Sequence, residues 1–241
     1  MYRNVEDISN EIKEKSLPVL FFDTCSILNM LNSIHIDYLP EHYLEIILIL
    51  LEQHQNDCWL VSCENVYEEW KDNINAVTET LNKEIKRVDR NVNVILKTAN
   101  SFLGTSHITP PIEQLNIANK IKQLSDDFLK TSFLIQRIGE YSIKAMNRVR
   151  KCEAPAKRGK SEPKDCEIIE CFLDLCNVLR NKGFSQKIIF FTANKSDFGS
   201  FKDIKPPLDS QFNSVHAELI TNIEHLYRIV IECRNNKNKT L

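Results

Sequence analysis

Four acidic residues of this chain stand where a strand ends or a helix begins, and these are the positions at which parallel α/β folds carry their chemistry. They are Asp23, Glu69, Asp165 and Asp197. Asp23 comes directly after the apolar run of residues 18–22, which predicts a strand buried on both faces. Because the carboxyl ends of parallel strands meet along one rim of a sheet, we expect the four carboxylates to lie close together there.

Carboxylates that share one rim repel one another unless a divalent cation lies between them. Oxygen ligands of this kind suit Mg²⁺ or Mn²⁺, and such a cation activates water and stabilises charge on phosphate oxygens. The acidic set therefore predicts metal-assisted hydrolysis of a phosphodiester. The alternative for Asp23 is a simple helix cap. Glu68 is the alternative to Glu69, because adjacent helical positions point about 100° apart.

The composition of the chain disfavours several other kinds of site. The five glycines are scattered, so the chain contains neither a P-loop nor a dinucleotide-binding turn. The eight cysteines form no C-x-x-C pair and the six histidines no H-x-x-x-H pair, which disfavours structural zinc. The apolar content is 42%, and the sequence contains no signal peptide or membrane-spanning apolar run. We therefore expect a globular, cytoplasmic protein with reduced thiols and no membrane partner.

The order of the apolar patterns predicts an α/β fold, in which a parallel sheet carries helices on both faces in an α/β/α arrangement. Short apolar runs at residues 18–22, 58–62 and 187–192 predict three strands of this sheet. A helical pattern precedes or follows each of these runs. The last helical pattern of the chain predicts a single closing helix at about residues 214–233.

The middle of the chain predicts a long helical hairpin. A helical period runs through residues 66–95, a break containing Gly and two Pro follows at residues 103–111, and a second period runs through residues 117–149. The apolar stripe on each helix is narrow, so we expect the two helices to pack antiparallel. The chain is thus predicted to be one domain of residues 1–241, with a hairpin insertion at residues 73–151.

Four short motifs carry a resemblance to a known family. They are Asp-Thr-Cys-Ser-Ile-Leu at residues 23–28, Val-Tyr-Glu-Glu at 66–69, Lys-Asp-Cys-Glu-Ile at 164–168 and Thr-x-Asn-x-x-Asp-Phe at 192–198. In their order and in their distance from the predicted strands, these motifs resemble those of the PIN domain. This is a superfamily of metal-dependent nucleases that includes many bacterial ribonucleases and toxins.

The resemblance implies a ligand set for Mg²⁺ or Mn²⁺. The residues that match the family's metal-binding and catalytic positions are Asp23, Glu69, Asp165 and Asp197, with Asn194 as a further metal ligand. Asn194 stands where many members carry an acid, so one-metal and two-metal chemistry both stay open. The hydroxyls beside these ligands are expected to contact the substrate, and they belong to Thr24, Ser26 and Thr192. The predicted hairpin departs from compact members, in which the second and third motifs lie closer together.

A basic stretch leads into the third motif. Between residues 144 and 164 this stretch contains only two acidic residues. The bases expected to bind phosphates are Arg148, Arg150, Lys151, Lys157, Arg158, Lys160 and Lys164. Since the formal charge of the whole chain is −2, attraction to a polyanion must come from such a local patch. With the resemblance, the stretch predicts single-stranded RNA as substrate and DNA as the alternative. A solvated helix end is the other interpretation of these bases.

Two other functions stay open. An aspartyl-phosphate phosphatase also uses an acid at a strand end, but its motif requires a second Asp at the position of Cys25. The other is a catalytically inactive PIN-like scaffold that binds a protein partner through the hairpin. An active nuclease would itself need restraint by a regulatory or antitoxin-like protein. The sequence leaves the oligomeric state open.

Overall fold

The computed structural model describes residues 2–37 and 39–239, and its centre is a parallel sheet of six strands. The strands of the chain are β1 (Tyr2–Arg3), β2 (Val19–Phe22), β3 (Trp59–Cys63), β4 (Phe133–Ile135), β5 (Ile188–Phe191), β6 (Gly199–Ser200), β7 (Asp203–Ile204) and β8 (Ala217–Ile220). The sheet has the order β1-β4-β3-β2-β5-β8, and β6 and β7 form a separate antiparallel pair. The strand that ends at Asp23 therefore lies in the middle of the sheet.

Helices follow most of the strands. They are α1 (Val5–Glu14), α2 (Thr24–Asn32), α3 (Tyr43–Glu52), α4 (Glu64–Leu103), α5 (Ile117–Thr131), α6 (Gly139–Lys151), α7 (Pro163–Asn181), α8 (Lys195–Phe198), α9 (Leu208–Ser214) and α10 (Ile223–Lys239), with a 3₁₀ turn at Ile112–Leu115. Within residues 2–37 and 39–239, no helix is both long and apolar enough to cross a membrane.

Two neighbouring residues of β2 demonstrate the layered arrangement. Phe21 contacts Phe172 of α7, with ring centroids 5.4 Å apart, whereas Phe22 contacts Phe128 of α5 at 4.8 Å. Because successive side chains of a strand point to opposite faces, α7 and α5 lie on opposite faces of the sheet. The predicted α/β/α fold is confirmed, and burial on both faces explains why the central strands are almost entirely apolar.

The predicted hairpin is present, but its second helix is shorter than expected. Helix α4 has 40 residues, which corresponds to about 60 Å, and it ends at Gly104 with φ +64°. Trp70 Nε1 near its start donates to Ser125 Oγ of α5 (3.1 Å), and the Ile112 amide donates to Asp89 further along (2.8 Å). The two helices therefore run in opposite directions.

The prediction of one helix over residues 117–149 is wrong. The chain leaves the helical conformation at Ser132, whose ψ is 151°, and continues as strand β4 between β1 and β3. The consecutive apolar residues of β4 are all buried, as expected for a strand covered on both faces. Helix α6 then packs on α7. The second half of the predicted insertion at residues 73–151 thus belongs to the sheet and its helical layer.

The prediction of one closing helix at residues 214–233 is also wrong. Helix α9 ends at Ser214, β8 joins the edge of the sheet beside β5, and α10 begins only at Ile223. The residues of β8 include Glu218 in a partly exposed edge position, so the segment lacks the apolar run of a central strand. Met1, Tyr38, Thr240 and Leu241, which the predicted domain includes, lie outside the described residues.

Candidate active site

Asp23 lies at the end of β2 and is held by three donors. Its Oδ1 accepts a hydrogen bond from the Thr24 amide (2.8 Å), which makes it the N-cap of α2. Its Oδ2 accepts hydrogen bonds from the Thr192 hydroxyl (2.7 Å) and from the Cys25 thiol (3.0 Å). Asp23 is only 3% exposed, and burial raises its pKa although these three bonds oppose the shift. The residue is therefore both a helix cap and a buried acid at the rim.

Glu69 contacts the same region from α4, whereas Glu68 does not. The Thr24 hydroxyl donates to Glu69 Oε2 at 2.7 Å. Burial, and then the charge of Asp23, raise the pKa of Glu69, with the hydrogen bond from Thr24 acting in the opposite direction. Glu68 is exposed and instead contacts the Tyr2 hydroxyl (3.2 Å) and Lys71 (3.1 Å). Of the two alternatives, Glu69 is thus the one beside Asp23.

Asp165 completes the group from the first turn of α7. Its pKa is raised to about 8 by burial and by the negative charges of Asp23, Glu69 and Glu162. The Asn194 amide nitrogen donates to its Oδ2 at 3.3 Å. Three carboxylates from β2, α4 and α7 therefore lie near one another, and we call Asp23, Glu69 and Asp165 the acidic cluster.

Asp197 is the exception among the four predicted acids, because both of its oxygens are paired with lysines. Lys157 Nζ lies 2.9 Å from Oδ1 and Lys160 Nζ lies 2.7 Å from Oδ2. Asn194 Nδ2 also donates to Oδ2, at 2.9 Å. Burial alone would raise the pKa of Asp197, but the bonds from the lysines and Asn194 outweigh it and hold the pKa well below its usual range.

The two lysines are brought to Asp197 by a tight turn. The amide of Lys157 donates to the Lys160 carbonyl and the amide of Lys160 donates to the Lys157 carbonyl, both at 2.9 Å. Gly159 within this turn has φ +84°, a conformation that glycine adopts at no steric cost. We call Lys157, Lys160 and Asp197 the lysine clasp. Sequence analysis assigned all three residues to the site but did not pair them with one another.

The acidic cluster has the chemistry of a site for a hard cation. Among the described residues, no Lys, Arg or His nitrogen lies within 4.0 Å of a carboxylate oxygen of the cluster. Its hydrogen-bond partners are neutral hydroxyl, thiol and amide groups. Three carboxylates fit Mg²⁺ or Mn²⁺, which prefer oxygen ligands. Within the described part of the chain, however, no three His, Cys, Asp or Glu side chains are already arranged so that they could hold a metal ion.

Four of the predicted substrate contacts are buried and bind within the protein instead. The first is Thr24, whose hydroxyl donates to Glu69. Arg148 is 3% exposed and bonds to Glu170, to the Ala154 carbonyl and to Gln211. Ser26 is fully buried and donates to the Phe191 carbonyl (3.1 Å), which joins α2 to β5. Thr192 is also fully buried and donates to Asp23. Their polar atoms face protein partners in this structure, and their expected contact with a substrate stays a prediction.

The remaining predicted phosphate contacts are exposed, and they are Arg150, Lys151, Lys157, Arg158, Lys160 and Lys164. Lys164 pairs with Asp72 (3.1 Å) and borders a cleft of about 490 Å³ that also includes Glu68 and Arg137. The place of Arg137 beside this cleft was not predicted, because residues 133–138 were assigned to a helix. The proximity of Glu162 to Asp165 was not predicted either. Its position directly before Pro163, at the start of the predicted helix, could have indicated it.

The fold and the acidic cluster define an α/β protein with a carboxylate site at the carboxyl ends of its central strands. The family model of the PIN domain matches residues 20–198, and the chain belongs to this family. Members are in general nucleases that depend on divalent metals and act on nucleic acid. No curated protein and no solved structure matches the chain.

Proposed function

We propose that this protein is an endoribonuclease that hydrolyses phosphodiester bonds of single-stranded RNA with Mg²⁺ or Mn²⁺. The observation that carries the proposal is the acidic cluster, in which three carboxylates from separate elements share one partly buried rim with only neutral partners. Burial and mutual repulsion make this arrangement costly for the protein alone. A divalent cation offsets that cost, and it supplies stabilisation of phosphate charge and a more acidic water when it is bound.

The residues around the acidic cluster serve to orient it. Asp23, Glu69 and Asp165 would hold the cation. The hydroxyl of Thr24 directs Glu69, and that of Thr192 directs Asp23. Both hydroxyls are buried, so their hydrogen bonds are shielded from competing water. We expect these contacts to fix the carboxylates before substrate binds, which reduces the reorganisation needed for reaction.

Asp197 and Asn194 act one step further from the reaction in this proposal. Asn194 donates to both Asp165 and Asp197, and thus connects the acidic cluster to the lysine clasp. Asp197 is a positioning residue that holds Lys157 and Lys160 beside the cluster, rather than a fourth ligand. The ligand set is therefore Asp23, Glu69 and Asp165, a number that favours one-metal chemistry.

The exposed bases supply attraction for the substrate backbone. Lys157 and Lys160 contact Asp197 directly, so the turn that carries them lies against the site. Arg158 at the tip of the same turn is exposed and has no carboxylate within 4.0 Å among the described residues. Such charges bind the phosphates of a nucleic acid whatever its base sequence. A flexible single strand can bend into this rim more readily than a stiff duplex.

The experiment is incubation of the purified protein with labelled single-stranded RNA, single-stranded DNA and duplex RNA, in Mn²⁺, Mg²⁺ or EDTA. We expect cleavage of single-stranded RNA that EDTA abolishes. Asp23→Asn and Asp165→Asn should remove the activity. Glu69→Gln should do the same, whereas its neighbour Glu68→Gln serves as the matched control and should remain active. Full activity of Asp23→Asn, or cleavage that resists EDTA, would overturn the assignment.

The cysteines support action in a reducing compartment, and we propose the cytoplasm. All eight cysteines lie in the described part of the chain and are free. Five of them are buried, as apolar packing residues commonly are. Free thiols in this number are typical of proteins that are not secreted.

The second candidate function is a scaffold that binds a regulatory protein through the α4–α5 hairpin. Large apolar side chains are exposed around the hairpin tip, and they are Val94, Ile95, Phe102, Leu103, Ile108 and Leu115. Exposed apolar groups in such number are typical of interaction surfaces. Replacing Phe102 and Leu103 by Ser should leave RNA cleavage unchanged if the nuclease proposal is right. Absence of both cleavage and Mn²⁺ binding in the intact protein would favour the scaffold.

A further inference from the structure

The turn between β6 and β7 presents an aromatic ring to solvent. Phe201 stands at this turn and is 51% exposed, whereas Phe198, three residues earlier, is fully buried. A flat apolar ring at this exposure is accessible to a ligand, and covering it would remove apolar surface from water. Sequence analysis gave this ring no role.

The turn is built by specific backbone contacts. Gly199 has φ +92°, and a Cβ at this position would lie 2.2 Å from the Asp203 carbonyl oxygen. The Lys205 amide donates to the Phe198 carbonyl at 3.0 Å, which closes the base of the turn. The Phe201 ring makes an edge-type contact with His225, with centroids 5.6 Å apart and planes at 83°. The ring is therefore held in place before any ligand binds.

Charged side chains of both signs surround the ring. The acids are Asp203 of the same turn and Glu224 and Glu232, which line the cleft beside His225. Lys202 is exposed beside Phe201, Lys195 is exposed just before the turn, and Arg228 is exposed on α10 next to the His225 turn. None of the three has a carboxylate within 4.0 Å among the described residues. An exposed aromatic ring among unpaired cations suits a polyanion that carries flat bases better than it suits an apolar protein surface.

This surface continues to the acidic cluster. Asn194 bonds to Asp165, and the next residue, Lys195, lines a cleft of about 190 Å³ together with Asn222. Asn222 and His225 in turn line the neighbouring cleft of about 370 Å³. Phe201 contacts His225. A strand bound at the acidic cluster can therefore extend along this side towards the Phe201 ring.

We propose that Phe201 stacks on an unpaired base of single-stranded nucleic acid, while Lys195 and Lys202 bind the adjoining phosphates. This inference rests on the proposed function, because it places a second binding surface beside the same site. Every base has a flat face, so the contact is tolerant of sequence and requires an unpaired base. A duplex hides its base faces and cannot make it.

The test measures binding of a fluorescent single-stranded RNA of roughly ten nucleotides to the non-cleaving variant Asp23→Asn. Phe201→Ala in this background should weaken binding by about five- to hundredfold, because one stacked base contributes that much. Phe201→Trp should bind at least as well as the parent. Phe201→Leu, which is apolar but lacks a flat face, should resemble Ala. Phe102→Ala, at the exposed hairpin tip, is the matched aromatic control and should have no effect.

The outcomes separate this inference from the proposed function. Equal affinity of the Phe201→Ala and Phe102→Ala proteins, full affinity of Phe201→Leu, or no binding of single strands at all would each overturn stacking. The same loss on a duplex would also overturn it. Failure of the proposed function appears in another measurement, namely the absence of metal-dependent cleavage by the chain with Asp23 and Phe201 intact.

Discussion

Thr24 and Glu69 are joined by a hydrogen bond of 2.7 Å, in which the threonine hydroxyl donates to Glu69 Oε2. The backbone amide of the same threonine donates to Asp23 Oδ1 at 2.8 Å. One residue thus orients a carboxylate from the first motif and one from the second, although the two motifs are far apart in sequence. Since Thr24 is buried, these bonds are shielded from competition by water.

Thr24→Val should lower kcat/KM for RNA cleavage by about tenfold or more, because a hydrogen bond to a charged group contributes about 1.5–3 kcal/mol. Valine has nearly the shape of threonine but lacks the donor, so Glu69 loses its partner while the packing of α2 is kept. Thr24→Ser restores a hydroxyl and should recover most of the activity. Equal loss in the Ser and Val variants would mean that packing of the methyl group, rather than the hydrogen bond, is what matters.

The centre of the fold and the proximity of Asp23, Glu69 and Asp165 could be predicted from the sequence. Strands β2 and β5 are buried on both faces, so each appears as an unbroken apolar run, and β3 is interrupted only by the buried Ser62. The predicted α/β/α fold and the PIN domain are confirmed. The edge strands gave no such signal. Strand β1 has two residues, and the apolar residues of β4 fit the helical spacing of the segments on either side.

Partners that are distant in sequence limited the prediction of the site. Arg148 stands in a basic stretch, yet its charge is used by Glu170 of α7 and Gln211 of α9. Asp197 matches a metal-ligand position, yet it is paired with two lysines about forty positions earlier in the chain. Neither pairing follows from spacing, because it depends on how α6, α7 and the turn before α7 pack together. The role of each residue in the reaction stays a prediction.

Mn²⁺ should raise the melting temperature of the intact protein, because a ligand that binds only the folded state stabilises it. The increase should disappear in Asp165→Asn and persist in Glu68→Gln, which changes an exposed acid outside the acidic cluster. Without metal, Asp165→Asn should melt at the same temperature as the parent or slightly higher, since an amide cannot add a negative charge to the acidic cluster. A Mn²⁺ effect of equal size in Asp165→Asn would remove this residue from the ligand set. The measurement is differential scanning fluorimetry with and without EDTA, and it does not depend on activity.

Breaking the lysine clasp should destabilise the protein. Replacing Lys157 and Lys160 together by Met leaves the buried carboxylate of Asp197 without a cation, and we expect a loss of about 2 kcal/mol in the free energy of unfolding, since the lysines are partly exposed. Adding Asp197→Asn to these two changes should recover part of the loss. Urea denaturation of four proteins completes a double-mutant cycle. They are the parent, the protein with both lysines replaced, Asp197→Asn alone and the combination of these changes. Additive effects would contradict direct pairing.

Arg148 and Arg158 should behave in opposite ways. Arg148→Ala leaves the partly buried carboxylate of Glu170 without its partner and should cost about 3 kcal/mol in the free energy of unfolding. Arg158→Ala changes an exposed side chain and should cost little stability. It should instead weaken binding of single-stranded RNA and lower the salt dependence of log K by about 0.7 per lost phosphate contact. Unfolding curves and a salt titration in the Asp23→Asn background distinguish the two. If a folded Arg148→Lys variant showed a changed salt slope, the result would mean that Arg148 binds a phosphate of the substrate.

His54 should make the protein less stable in mild acid. Burial lowers its pKa from 6.5 to about 4, the charge of Glu11 opposes this shift, and the charge of Lys15 adds to it. Its Nδ1 accepts a hydrogen bond from the Leu60 amide at 3.0 Å, and a proton on that nitrogen would break the bond. Because the folded pKa lies below the unfolded one, the stability contribution is complete above about pH 6.5 and is lost progressively as the pH falls towards about 4.

The measurement is urea denaturation at several pH values of the parent protein and of His54→Asn, whose side-chain oxygen can replace Nδ1 as acceptor without titrating. We expect the stability of the parent to fall more steeply between about pH 6.5 and pH 4 than that of His54→Asn. His107→Asn, at an exposed position of the hairpin, is the matched control and should follow the parent. If stability fell equally with pH in the parent and in His54→Asn, another group would be taking up the proton. The contact between His54 and Leu60 would then not cause the acid sensitivity of the fold.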